Sequence, residues 1–196
     1  MHTIQATTIS TLRKSGDQLE LAAPEPPYFH ILLGTQEELD DFVCKLGYEA
    51  QPHCVIRLVR GNKMMRVGDL FNEFASAFQF PLYFGENWPA FSECIRDLAW
   101  LRGQNYILTI SNAQELLAED DPRDRGTFIR ILHDACVHWA TKGRLSQTRG
   151  LTTVSFSFHA IFHAVESHIN IVREILSSQY PDLAAIPIRD MGRLIR

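Results

Sequence analysis

Most signatures that announce a catalytic, nucleotide-binding or membrane protein are missing from this chain of 196 residues. No apolar run approaches the about 20 residues that a membrane-spanning helix needs. The N-terminal stretch, Met1 to Leu21, has no long apolar run after its basic residues, so no secretory leader is expected and the cytoplasm is the expected compartment. Cysteine is sparse and scattered: Cys44, Cys54, Cys94 and Cys136 sit among apolar neighbours, and none forms a CxxC pair. Free, buried thiols are expected rather than disulfides or a metal site. There is no GxGxxG, no Walker loop, no GxSxG and no HExxH, so no cofactor is expected. Positive charge is also short. Lys and Arg total 19 against 23 Asp and Glu, for a net charge of −4 and a pI near 6.0. That balance argues against a nucleic-acid binder and fits a basic protein partner. Repeats and low-complexity tracts are absent.

What is present is ordinary globular material. The chain is 45% hydrophobic and 21% charged, enough for one large domain or a domain with extensions. Residues 1–23 are weakly patterned, and the repeated prolines of Ala23 to Pro27 read as a stiff linker. Tyr28 to Gly34 reads as a buried strand. A helix follows, with Thr35 and Glu38 at capping-box spacing, Leu39, Phe42, Val43 and Leu46 on one face, and Gly47 as its stop. Cys54 to Gly61 is a second strand, and Val67, Leu70, Phe71, Phe74, Ala77 and Phe78 form one helical stripe. Asn105 to Ser111 is a third strand. The charged stretch 118–126 reads as a loop, and a helix is expected from Thr127 to Lys142, ended by Gly143. Residues 151–160 alternate as a strand. Ile161, Val165, Ile169, Val172 and Leu176 fall at helical spacing, before a proline-broken ending. Strands separated by helices predict an α/β fold with a mainly parallel sheet covered by helices.

Several constellations invite a chemical reading. The turn 60–68, RGNKMMRVG, has glycines and basic residues but lacks the P-loop lysine placement, so it reads as a strand-to-helix turn. His159 and His163 would share a face on a helix and suit a metal, but His159 is expected at a strand end and no further ligand completes the set. Asp120, Asp121 and Asp124 lack EF-hand spacing and read as a solvated loop. His133, Asp134 and His138 could serve a small enzyme, yet no activated nucleophile accompanies them.

The most distinctive stretch is FPLYFGENWPAFSECIRDL, Phe80 to Leu98. Asn87 is placed to cap a helix starting at Trp88, with Pro89 in the first turn, where its missing N–H costs nothing. Phe91, Cys94, Ile95 and Leu98 lie at i, i+3, i+4 and i+7 and define the buried face. Pro89, Ser92, Glu93 and Arg96 are left facing away. Tyr83 and Trp88, beside a glycine turn and an acidic face, suit either a partner's anchor set or a structural turn.

This segment resembles the signature of the barstar family, the intracellular inhibitors of barnase-like ribonucleases. Pro81, Tyr83, Phe84, Gly85, Asn87, Ala90, Cys94 and Leu98 match its loop-helix pattern in type and spacing, and the resemblance extends over about residues 54–160. It implies a sheet of three to four mainly parallel strands at residues 51–160, preceded by segment 1–27 and an extra strand-helix unit at 28–50, and followed by a helical extension at 161–196. It also implies a protein without enzymatic activity, one that blocks a toxin's basic, phosphate-binding active site with carboxylates. By position, the resemblance implies partner contacts at Tyr83, Gly85, Asn87, Trp88, Ser92, Glu93 and Asp134. Glu93 is the main carboxylate anchor and Asp134 the acid of the later helix. Pro89 stands where the family has another acid, and Ser92 where it has an aromatic. The implied partner is a basic ribonuclease toxin, with no direct nucleic-acid or membrane contact; a non-ribonuclease partner is the alternative.

Overall fold

The computed structural model describes residues 21, 23–49, 53–148, 156–177 and 186–191. Among these residues five strands form one fully parallel sheet: β1 (Phe29–Leu33), β2 (Cys54–Arg60), β3 (Asn105–Ser111), β4 (Ser157–Ala164) and β5 (Ile188–Asp190). Their order is β2-β3-β4-β1-β5. The first strand made therefore sits inside the sheet, with Phe29 opposite Ala160 of β4 and Ile31 opposite Ile188 of β5.

Among the described residues five α-helices accompany the strands: α1 (Gln36–Glu49), α2 (Val67–Phe78), α3 (Trp88–Asp97), α4 (Pro122–Thr148) and α5 (Ile169–Ser177). Alternation along each strand sorts the core into two faces. Phe29, Ile31, Tyr106, Leu108, Phe158 and Phe162 point to the face packed against α2, α3, α4 and α5. Leu32, Ile107 and Ile161 point the other way, onto Leu39 and Phe42 of α1. Parallel strands covered on both faces are buried on both faces, as β3 and β4 are, and their α1 side carries the buried polar residues Thr109, Ser111, Ser157, His159 and His163 beside Ile107 and Ile161.

The expected capping box forms. The Thr35 N–H donates to Glu38 Oε2 at 2.8 Å, and the Glu38 N–H donates to Thr35 Oγ1 at 3.2 Å. Other boundaries differ from expectation. Gly47 does not stop α1, which runs on to Glu49. Helix α4 starts at Pro122 rather than Thr127. Asp121 caps it, accepting the Arg123 N–H on Oδ1 at 2.8 Å, and proline suits the first helical position. It also continues past Gly143 to Thr148. Residues 161–164 are strand, not the start of the last helix. Every residue of β4 is buried, Ile161 on the α1 face and Phe162 on the other, and that pattern mimics a helical stripe. Of the expected helical positions, Ile169, Val172 and Leu176 do lie on α5. The proline-broken ending contains a strand, β5, that the pattern did not announce. The expected strand residues 151–155 lie outside the described ones, as do residues 1–20.

All four cysteines are free. Cys94 and Cys136 are buried and Cys54 half-buried, but Cys44 is exposed, one position off the apolar stripe of α1. Among the described residues no helix is long and apolar enough to cross a membrane.

Candidate functional site

The site begins where α2 ends. Gln79 turns the chain in the left-handed conformation (φ 53°), and the Phe80 N–H closes onto the Ala75 carbonyl at 2.9 Å. A tight turn follows, with the Phe84 N–H donating to the Pro81 carbonyl at 2.9 Å. Its two flanking rings point inward. Phe80 and Phe84 meet edge to face at 5.0 Å, Phe84 reaches Phe71 at 5.8 Å, and Phe80 reaches Trp100 at 6.2 Å. Burying both ends of the turn leaves its tip outside: Leu82 is fully exposed and Tyr83 is 70% exposed. Large apolar groups held rigidly in water are the form in which interface anchors are presented.

Asn87 clamps the next turn with both ends of its amide. Oδ1 accepts the Ala90 N–H at 3.0 Å, capping α3, and Nδ2 donates to the Gly85 carbonyl at 2.9 Å. The clamp explains Gly85, since a Cβ there would stand 3.0 Å from Asn87 Nδ2. Trp88 is also tied inward. Its ring packs on Phe71 at 5.0 Å, and Nε1–H donates to Asp124 Oδ1 on α4 at 3.1 Å. Replacing Asn87 with alanine is expected to cost about 1 kcal/mol in urea denaturation, the ordinary value of a lost cap. Asn87→Asp is expected to recover most of that loss, because the carboxylate still accepts from Ala90.

Helix α3 turns Phe91, Cys94 and Ile95 to the core, leaves Glu93, Arg96 and Asp97 exposed and Ser92 half-buried, and ends at Leu98 in the left-handed conformation. Arg96 folds back along its own helix, its Nε–H donating to the Ser92 carbonyl at 2.9 Å. Glu93 enters neither of the ion pairs Arg60–Glu73 and Arg66–Glu119, and its charge is left for solvent. The Tyr83 phenol has its pKa raised by partial desolvation, then by Cys94, Asp97 and Glu93, which puts it beside the acidic edge of α3. Asp97, one turn beyond Glu93, was not singled out from the sequence. Its i+4 spacing from Glu93 is the signal that could have found it.

Helix α4 lies against α3 through Phe91 and Phe128, 6.0 Å apart, and through the Trp139 Nε1–H, which donates to the Ile95 carbonyl at 3.2 Å. Asp134 is exposed on this helix beside buried Ala135. One turn further, burial lowers the His138 pKa, with Arg96 and Lys142 adding to the effect, so a cationic edge borders the acidic one. His133 points elsewhere, against Tyr28 at 6.2 Å and Phe29 at 5.9 Å. The two histidines therefore diverge and do not converge with Asp134 on one centre.

The other constellations are occupied by structure. Asp120 accepts the Val67 N–H at the start of α2, Asp121 caps α4, and Asp124 holds Trp88. In the turn after β2, a Cβ on Gly61 would come within 2.3 Å of the Asn112 carbonyl oxygen, so this glycine serves a close backbone approach. His159 and His163 lie on one strand, His163 Nε2 hydrogen-bonded to the Gly34 carbonyl at 3.0 Å.

In comparison with known protein families, residues 54–149, just under half the chain, match the family model Barstar, described as barnase inhibitor. The matched segment runs from β2 to the end of α4 and contains all seven candidate contact residues. No curated protein matches the chain.

Proposed function

We propose that this protein, whose residues 54–149 match the Barstar family model, blocks the active site of a secreted toxin, a basic ribonuclease of the barnase type. The family description supports an inhibitor's role in general, and with it a role without catalysis. In the proposed complex the turn Leu82–Tyr83 and the outer face of α3 enter a cleft built to hold a polyanion. Glu93 and Asp134 take the places of phosphates, with charge complementarity speeding encounter.

The observation that carries this reading is the division of labour in the loop and α3. Phe80, Phe84, Asn87, Trp88 and Phe91 are fully used in holding it together. Tyr83 and Glu93 make no hydrogen bond or ion pair among the described residues, yet they are held on a rigid support. Asn87, Gly85 and Trp88 act in this reading by positioning the surface, and the direct contacts fall on Tyr83, Glu93, Asp134 and Ser92.

The test is titration of a cognate ribonuclease, the toxin encoded beside this gene, with the purified protein. RNA hydrolysis should fall to background at one equivalent. Activity that survives a saturating excess overturns the reading. A second reading, an interaction module for a non-ribonuclease partner, is favoured by one feature: proline at position 89 and the cationic edge of Arg96 and Lys142 make the surface less acidic than a polyanion site would select. Tight binding of a toxin without loss of RNA hydrolysis would choose it.

A further inference from the structure

On the α1 side of the sheet, three strands each contribute one polar side chain to a single row: Arg189 from β5, His30 from β1 and His159 from β4. His30 and His159 are 2% and 0% exposed. Their rings lie 5.3 Å apart, tilted by 31°, with His30 Nε2 3.1 Å from His159 Nδ1. His159 Nε2 lies 2.8 Å from the Ala23 carbonyl oxygen, and Arg189 Nη1 lies 3.5 Å from His30 Nδ1.

These contacts dictate where the protons are. A carbonyl only accepts, so His159 carries its proton on Nε2, and the neutral ring has a bare Nδ1. His30 must therefore donate from Nε2, which leaves its Nδ1 bare and facing the guanidinium. One chain of donations runs from Arg189 through His30 and His159 to Ala23. It ties the tail strand and the N-terminal strap to the sheet. The Ser157 hydroxyl reinforces the strap by donating to the Leu21 carbonyl at 3.3 Å. All of these residues lie outside the segment that matches the family model.

We propose that this row is an acid-operated latch: a proton taken up by His30 or His159 breaks the chain of donations and frees β5 and the strap, while β2, β3, α2, α3 and α4 stay folded. An added proton has no acceptor to meet. On His30 Nδ1 it would face Arg189, and on His159 Nδ1 it would face the His30 N–H. Among the described residues no carboxylate acts on either ring. The strap offers the main-chain carbonyls of Ala23 and Pro27, the start of β1 offers the Tyr28 ring at 6.1 Å, and β4 offers Ser157 and His163 on the same face. Glu38 and Asp40, on the α1 side, act on His163 instead.

The direction with pH follows. Burial, then His159 and Arg189, push the His30 pKa down to about 2, and burial also lowers that of His159. Once released to water, either ring returns to its ordinary value near 6.5. The latched form is thus fully favoured above about pH 6.5 and loses ground below it, the opening constant rising about tenfold per pH unit for each proton taken up. The parts released are the short ones: β5 has three residues and, among the described residues, lies at the sheet edge beside β1.

Hydrogen exchange of the full chain, read by mass spectrometry as protection factors at pH 7.5, 6.5 and 5.5, tests this. Peptides covering β5 and residues 21–33 should lose about 5- to 30-fold in protection between pH 6.5 and 5.5, for one or two protons taken up, while β3 and α3 keep theirs. Unchanged protection at β5, or equal loss in β3 and α3, overturns the proposal. The double variant His30→Gln, His159→Gln keeps a donor and an acceptor at each position and cannot titrate, so its β5 peptides should lose the pH dependence. Wild-type pH dependence in that variant also overturns the proposal, and the wild-type measurement stands alone if the variant does not fold.

Discussion

Phe91→Ala is expected to remove about 3–5 kcal/mol of stability, a large share of what a domain of this size holds. Phe91 is fully buried and is the hub of the aromatic cluster beneath the site. Its ring meets Phe71 at 5.9 Å, Phe74 at 5.0 Å, Phe80 at 6.0 Å, Trp88 at 6.0 Å and Phe128 at 6.0 Å. Those partners come from α2, the signature loop, α3 and α4, so no single neighbour can move to fill the space. The melting temperature should fall by about 6–20 °C, at the 2–4 °C per kcal/mol usual for this length. Urea denaturation measures the same loss independently. A cost below about 1 kcal/mol would mean that the cluster repacks and that the loop is not supported as described.

The charge reversal Glu93→Lys is expected to act on binding alone. In the proposed complex it sets a cation against a basic surface and removes an unpaired carboxylate from the acidic edge beside Tyr83 and Asp97. Affinity for the ribonuclease should fall by at least about 100-fold, or about 2.7 kcal/mol, by calorimetric titration. The association rate at low salt should fall with it. Thermal stability should move by less than about 0.5 kcal/mol, since Glu93 is exposed and makes no hydrogen bond or ion pair among the described residues. An unchanged dissociation constant with wild-type inhibition would shift the contact surface away from α3.

Local rules make α3 legible from the order of its residues alone. The cap at Asn87, the proline beside it and the i, i+3, i+4 stripe all act within one or two turns, and all three hold. The capping box at Thr35 holds for the same reason. What stays hidden depends on distant partners. The second half of β4, residues 161–164, reads as the start of a helix because it is buried on both faces and its Ile161 falls in register with the apolar positions of α5. β5 has only three residues, and its main-chain partners lie in β1, more than 150 residues earlier. At the site, the sequence identifies which side chains crowd the loop but not how they divide. Asn87 and Trp88 read as contacts, yet their polar atoms are committed to the Gly85 carbonyl, the Ala90 N–H and Asp124. That division depends on where α4 passes, and only the packed structure fixes it. Asp97 escapes notice because the expected pattern ends at the buried face, and it marks no acid outside that pattern.

The position of β1 also sets an order of events during synthesis. Its His30 leaves the ribosome 129 residues ahead of its partner His159. At about 5–20 residues per second, that is a wait of roughly 6–26 s. For that time a strand whose residues are apolar except His30 has open edges and no native neighbour. Such a segment is a target for holding factors and for wrong pairing with other chains. Because β1 lies between β4 and β5, the sheet can be completed only from its far end.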